Sequence, residues 1–179
     1  MTQQHVALWR QAAEAFDQRY QAVQAEQMEA STPCANWNVK QLIDHAVNTQ
    51  AQFAGPLVGA EIAEGAEWPQ VYQAINAAIE DPSVLEGMID DPNMGTVPKV
   101  QNFGIATSDM LIHTWDVAKA IGGDTELPAE AVQACHTGMQ HFPEEMMRSE
   151  GMFGAKVECA ADADVQTQML SHAGRDCSI

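Results

Sequence analysis

The chain is poor in positive charge: 8 lysines and arginines stand against 25 aspartates and glutamates, which gives a formal net charge of -17. A nucleic-acid-binding protein needs a basic surface to neutralise phosphates, and an anionic membrane surface repels a chain this acidic. No run of about 18 apolar residues is present, so no transmembrane helix is expected. We therefore expect neither a nucleic acid nor a membrane as a partner.

Cysteine is also scarce, and its spacing excludes the common zinc-finger patterns. The four cysteines form no CxxC pair: Cys34, Cys135, Cys159 and Cys177. The N-terminal residues MTQQHVALWRQAAEAFDQRY lack the basic stretch and apolar core of a signal peptide, which favours a cytoplasmic location. Free thiols are the expected state of cysteines in that compartment.

What the chain does contain is a series of segments with apolar residues at helical spacing. Its 179 residues, 46% of them apolar, suffice for a single domain over residues 1–179. The predicted helices cover residues 4–27, Asn38 to about Ala54, Pro69–Glu80, about Gln101–Ile121, Pro128 to about His141, and Val165–His172. Loops rich in helix breakers separate them, and no segment alternates with the period of a strand. The sequence therefore predicts an all-α bundle.

The fourth predicted helix contains SDMLIHTWD (108–116), an apolar run with three ionisable side chains. At 100° per residue, Asp109, His113 and Asp116 fall within about 60° of one another around the helix. Apolar residues flank this stripe on both sides, and a helix that is apolar nearly all round is usually buried. Because an unpaired buried carboxylate is costly, the stripe must have partners.

A divalent metal ion is one such partner. Side chains at positions i and i+4 converge over one turn, so Asp109 and His113 can ligate a single ion. His45, at the edge of the apolar stripe of the second helix, offers another imidazole from a facing helix. Two histidines and one carboxylate leave coordination positions open and favour zinc, nickel, iron or manganese over magnesium and calcium. The alternative is that Asp109 and His113 only hydrogen-bond each other or a neighbouring helix.

Three segments of the chain resemble one known family. TPCANWNVKQLIDHAVN (32–48) is similar to the TPC-x-x-W-x-V-x-x-L-x-x-H signature of the mycothiol-dependent maleylpyruvate isomerase N-terminal-like proteins. These proteins belong to the DinB/YfiT-like superfamily of metal-binding four-helix bundles. DMLIHTWDVAKAIG (109–122) resembles the second signature, and MFGAKVECAADADVQTQMLSHAGRD (152–176) resembles the closing segment. The resemblance implies a DinB-like four-helix bundle with short additional C-terminal helices.

The same resemblance implies a ligand set. His45, Asp109 and His113 would hold a divalent metal ion, with zinc the usual assignment. The isomerase carries Glu where this chain has Asp109, whose side chain is one methylene shorter. The isomerase also has a C-terminal domain that contributes to its active site. This chain is expected to lack that domain, so we do not carry the maleylpyruvate activity over.

Asp116, three residues after His113, is expected to lie just outside the ligand set. It is placed to accept a hydrogen bond from an imidazole and to fix its orientation. Its alternative partners are cations, namely Lys119, Arg148 or Arg175. Cys34 is expected to be a small buried cysteine, because no histidine lies near it in the sequence. Trp37 is expected to pack where the chain enters the second helix.

The resemblance implies a metal-dependent transferase or isomerase that acts on a small electrophilic molecule. Its cofactor would be a low-molecular-weight thiol, either mycothiol or a bacillithiol- or glutathione-like compound. Metal coordination would lower the thiol pKa and give a thiolate nucleophile. The alternative is a non-catalytic metal- or ligand-binding bundle, or a dimerising one, with a vestigial site. A monomer and a homodimer are both compatible with the sequence.

Overall fold

The computed structural model describes residues 2–34, 37–148 and 153–178, and helices dominate it. The α-helices are α1 (Thr2–Ala22), α2 (Val39–Thr49), α3 (Gly55–Val58), α4 (Trp68–Ala78), α5 (Lys99–Ile121), α6 (Ala129–Met139), α7 (Glu144–Met147) and α8 (Val165–His172). Short 3-10 turns cover Ala25–Gln27 and Pro82–Leu85. The prediction of an all-α, DinB-like bundle is confirmed. Within the described ranges, no helix is both long and apolar enough to cross a membrane.

Helix α5 lies at the centre of the bundle and packs against α1, α2 and α6. Its buried apolar side chains are Phe103, Ala106, Met110, Leu111, Ile112, Trp115, Val117 and Ala118. The helix ends at Gly122, whose φ of 68° lies in the left-handed region that glycine adopts without steric cost. Because α5 is enclosed on several sides, His113 and Asp116 are buried and Asp109 is half-buried.

Helix α2 begins where the sequence predicts, at a reciprocal cap. The Asn38 side chain accepts a hydrogen bond from the backbone N–H of Gln41 at 2.9 Å, and the Gln41 side chain accepts one from the backbone N–H of Asn38 at 3.0 Å. This arrangement satisfies two N–H groups that the first helical turn leaves unpaired. The cap fixes the start of the helix that carries His45.

Helix α2 ends earlier than predicted, in a π-helical turn over Gln50–Ala54 that leads into α3. Pro56 has no N–H and cannot form the usual α-helical hydrogen bond to the residue four positions back. The backbone N–H of Gly55, just before it, donates to the carbonyl of Gln50, five residues back, which is the π-helical pattern. The Gln50 side chain is fully buried. Its amide accepts a hydrogen bond from Trp9 of α1 at 3.0 Å and donates to the carbonyl of Ala106 in α5 at 2.9 Å. This side chain therefore joins three helices close to the candidate site.

The segment 81–98, predicted as a loop, contains a small antiparallel hairpin. Strand β1 (Met88–Asp91) pairs with β2 (Gly95–Pro98). The Asp91 carboxylate accepts hydrogen bonds from two backbone N–H groups of the turn, and Gly95 has a φ of 72°. Four-residue strands that are largely exposed leave little alternation in a sequence, and the turn residues read as loop.

Other predicted helices also differ from the structure at their edges: the third was predicted over Pro69–Glu80, and α4 spans Trp68–Ala78. The first helix was predicted over 4–27, and α1 ends at Ala22 before the separate 3-10 turn. The fifth was predicted to reach about His141, and α6 ends at Met139. Ala35 and Asn36 of the first motif and Met152 of the closing segment lie outside the described residues.

Candidate metal centre

Three side chains from two helices converge between α2 and α5. His45 Nε2 lies 3.6 Å from Asp109 Oδ1, and His113 Nε2 lies 3.4 Å from the same oxygen. The two imidazole rings meet edge to face, with centroids 4.9 Å apart and an interplanar angle of 84°. Zinc bonds of about 2.0–2.1 Å in a tetrahedral site place neighbouring donors about 3.3 Å apart. The predicted ligands are thus brought together at a spacing that suits one ion.

The exposure of the three side chains gives the site an open face and a buried back. The His45 side chain is 38% exposed and that of Asp109 is 24% exposed, whereas that of His113 is 8% exposed. Asp109 and His113 share one face of α5 because they are four residues apart. A ligand from solvent therefore approaches over His45 and Asp109, with His113 behind them.

The second oxygen of the Asp109 carboxylate lacks a partner. Oδ2 is buried and accepts no hydrogen bond from any residue that the structure describes. A buried carboxylate oxygen without a partner costs free energy, because it has lost its hydrogen bonds to water and no protein hydrogen bond replaces them. A cation among these side chains would supply the missing interaction. The orphaned oxygen and the two-imidazole, one-carboxylate donor set both fit a divalent ion.

The electrostatics of the metal-free cluster favour an ion pair. Burial alone raises the pKa of Asp109, but the positive charge of His113 and hydrogen bonds from His113 and His45 outweigh it and hold that pKa well below its usual range. Burial alone lowers the pKa of His113, but Asp109 and a hydrogen bond to Asp116 outweigh it and hold that pKa well above its usual range. A proton on His113 therefore occupies the cluster when no metal ion does.

On the other side of the His113 ring lies a buried ion pair. His113 Nδ1 is 2.9 Å from Asp116 Oδ2. Arg175, which follows α8, donates from Nε to Asp116 Oδ1 at 3.2 Å and from Nη2 to Asp116 Oδ2 at 2.7 Å, in a fork geometry. An acceptor at Nδ1 favours the proton there and leaves Nε2 for the ligand side. Asp116 thus makes both contacts that the sequence left as alternatives.

The other two cations considered as partners of Asp116 lie elsewhere. Lys119 sits over the ring of Trp115, with Nζ 5.9 Å from the ring centroid. Arg148 pairs with Glu144 at 2.7 Å. Arg175 is therefore the cation that completes this side of the site.

Cys34 lies beside the ion pair of Asp116 and Arg175, a placement that the sequence did not predict. It is half-buried. Its Sγ lies 3.3 Å from Asp116 Oδ2, and Arg175 Nη2 donates to it at 3.1 Å. Cys34 is 82 positions from Asp116 and 141 positions from Arg175 along the chain, and no sequence spacing predicts a contact between residues so distant. The prediction of a small buried cysteine missed these polar contacts.

Trp37 forms an aromatic wall beside the imidazoles. Its ring centroid lies 4.5 Å from that of His45, at an interplanar angle of 37°, and 6.0 Å from that of His113. The sequence predicted a packing role where the chain enters α2, and the structure adds contact with two of the proposed ligands. The one signal for it was its position eight residues before His45 in the first motif.

The thiol of Cys135, in α6, is buried. Burial raises the pKa of this thiol to about 12, and the negative charge of Asp109 acts in the same direction. The thiol is therefore neutral at physiological pH. Its sulfur lies 3.8 Å from that of Met139, in the apolar core.

Fold and site together define a DinB-like helical bundle with a candidate metal centre on its central helix. Residues 9–93 match the family described as mycothiol maleylpyruvate isomerase N-terminal domain. This match confirms the resemblance predicted from the motifs. The match includes His45 and ends before α5, so Asp109 and His113 lie beyond it.

Proteins similar over nearly the whole chain occur in Mycobacterium tuberculosis. Two uncharacterised proteins of Mycobacterium tuberculosis, from different strains, are each 27% identical to this chain over 178 residues, which covers 92% of this chain and 93% of the relative. No solved structure matches the chain significantly.

Proposed function

We propose that this protein binds one divalent metal ion through His45, Asp109 and His113 and uses it in a thiol-dependent transferase or isomerase reaction on a small electrophilic molecule. The observation that carries the metal site is the convergence of two imidazole nitrogens on one oxygen of the Asp109 carboxylate, whose other oxygen is buried and has no partner among the described residues. The thiol is supported by the family, whose description names mycothiol. Zinc is the ion proposed first, with nickel, iron and manganese as alternatives.

A divalent ion held there would lower the pKa of a coordinated thiol and supply a thiolate near neutral pH. The chain itself contributes position and enclosure. Asp116 holds the His113 ring from behind, and Arg175 in turn holds Asp116. Trp37 limits access on one side of His45 and offers an aromatic surface to a ligand. The partly exposed side chains of His45 and Asp109 leave room for a thiol to enter.

Metal removal should lower the thermal stability of the protein. An ion that binds only the folded state adds about 2.7 kcal/mol when it is present at about 100 times its dissociation constant. We expect the melting temperature of the zinc-loaded protein to fall on addition of a chelator. A His45→Ala variant should show no such difference, whereas a His141→Ala variant, altered at an exposed histidine, should behave like wild type.

The same preparations test the thiol reaction. Zinc-loaded protein is incubated with mycothiol or glutathione and a chromogenic electrophile, and the thioether product is measured. Product formation that depends on metal supports the enzyme. Stabilisation by metal without product from either thiol would favour a binding protein instead, and an unchanged melting temperature would contradict the metal site itself.

Metal affinity should fall as the pH is lowered. His113 must lose its proton before Nε2 can bind a metal ion, and the neighbouring carboxylates hold its pKa well above the usual range. One displaced proton makes affinity fall by about tenfold for each pH unit below that pKa. Titration calorimetry in two buffers of different ionisation enthalpy measures the proton released. Affinity that stays constant between about pH 6 and about pH 8 would argue against histidine ligands.

A further inference from the structure

His113 belongs to two groups of side chains whose donor atoms are close enough to surround a metal ion. His45 and Asp109 lie on its Nε2 side, and Cys34 and Asp116 lie on its Nδ1 side. Within each group the donor atoms are within 4.8 Å of one another. A neutral imidazole offers a lone pair on only one nitrogen, so an ion on one side competes with an ion on the other.

Ligand chemistry alone would favour the Cys34 side for a thiophilic ion. Cysteine sulfur binds zinc, cadmium and cuprous ions more strongly than a second imidazole or a carboxylate does. Asp116, with a fully buried side chain, would add a negative charge that an ion could neutralise. Something in the fold must oppose this choice if the ion is to bind at Nε2.

Arg175 already brings a positive charge to two of these three side chains. Its Nη2 contacts both Asp116 Oδ2, at 2.7 Å, and Cys34 Sγ, at 3.1 Å. Its Nη1 donates to the carbonyl of Ala173 at 2.8 Å, and its side chain is 10% exposed. A guanidinium group stays charged at every physiological pH. The Cys34 side of His113 therefore already contains its cation.

We infer that Arg175 acts as a resident cation that keeps metal ions off Cys34 and Asp116 and directs the ion to the Nε2 side of His113. The inference rests on the proposed metal site and adds the residue that selects its ligand set. It follows that the chain itself holds the ion through nitrogen and oxygen, with no cysteine ligand. The removal of the guanidinium charge should open the sulfur side.

Cadmium is a suitable probe, because a cadmium–thiolate bond gives an ultraviolet charge-transfer band that nitrogen and oxygen ligands do not. Five proteins are compared: wild type, Cys34→Ser, Arg175→Met, which keeps the apolar stem, Arg175→Lys, which keeps the charge, and the double variant Arg175→Met with Cys34→Ser. We expect about one cadmium per chain in wild type and in the lysine variant, without the band. The methionine variant should gain the band, and the double variant should lose it again.

The outcomes separate this inference from the proposed function. Cadmium bound by wild type with a thiolate band that Cys34→Ser removes would overturn the inference. A folded methionine variant that binds cadmium without the band would also overturn it, while the proposed metal site would stand. If Arg175→Met does not fold, the cadmium-113 resonance of wild type decides, because sulfur and nitrogen–oxygen ligands give separate chemical shifts. Cadmium bound only by the methionine variant, with the band, would support the exclusion of metal from Cys34 by Arg175, but it would contradict the proposed site and with it the directing role.

Discussion

Replacement of His45 and His113 by alanine should remove the metal ion from the purified protein. We expect about one ion per chain in wild type, purified without added metal, and a background level in the double variant. The reason is the shared oxygen: both imidazoles lie within 3.6 Å of Asp109 Oδ1, and a single carboxylate cannot hold a transition metal ion against water and chelators. Elemental mass spectrometry measures the content directly.

The matched control is the double variant His136→Ala with His141→Ala, which also removes two imidazoles. His136 lies in α6, and His141 follows its end. Neither residue belongs to the groups of potential metal ligands found in the described parts of the chain. This variant should retain its ion. If wild type and both variants all lack metal, even after reloading, Asp109, His113 and Asp116 form a buried hydrogen-bond network with no ion, and the proposed chemistry has no basis.

The helical scaffold of the site could be predicted because local rules determine it. Asn38 followed by Gln41 marks the start of α2, and Gly122 marks the end of α5. The pairing of Asp109 with His113 follows from the geometry of one helix turn. His45 was a candidate from its place on the second helix, and the structure sets it opposite Asp109. Apart from the placement of His45 opposite Asp109, each of these features depends on residues a few positions apart.

The residues that the sequence could not place reach the site through tertiary packing. Arg175 comes from the segment after α8 and meets Asp116 of α5. Cys34 reaches the same carboxylate from the turn before α2. Helical periodicity predicts which face of a helix is buried and does not indicate which distant loop covers it. The sequence therefore left three cations as possible ion-pair partners of Asp116, and the tertiary structure brings one of them into contact with it.

The position of Arg175 links the closing segment of the chain to the metal centre. The backbone N–H of Arg175 bonds the carbonyl of Leu170 at 2.9 Å, and Gly174 adopts a φ of 83°. A Cβ at Gly174 would lie 3.0 Å from the carbonyl oxygen of Ala155, so glycine allows this close turn. The turn brings the guanidinium back to Asp116. The C-terminal helix thus serves the site by positioning one charge behind His113.

Replacement of Asp116 by asparagine should cost about 3–5 kcal/mol of the free energy of unfolding, the range for removal of one partner of a buried ion pair. The Asp116 side chain is fully buried and that of Arg175 is 10% exposed, so the guanidinium would be left largely desolvated and unpaired. The variant also weakens the acceptor for His113 Nδ1. Urea unfolding of the metal-free protein measures the loss without any contribution from metal binding.

The surface provides a matched control with the same substitution. Lys40 and Asp44 of α2 also form an ion pair, but their side chains are 60% and 52% exposed. Water solvates the remaining charge after its partner is lost, so Asp44→Asn should leave the free energy of unfolding almost unchanged. The addition of Arg175→Met to Asp116→Asn should recover part of the loss, because no unpaired buried charge then remains. A loss from Asp116→Asn no larger than that from Asp44→Asn would show that the guanidinium turns out into solvent, and the buried pair would then not hold the closing segment in place.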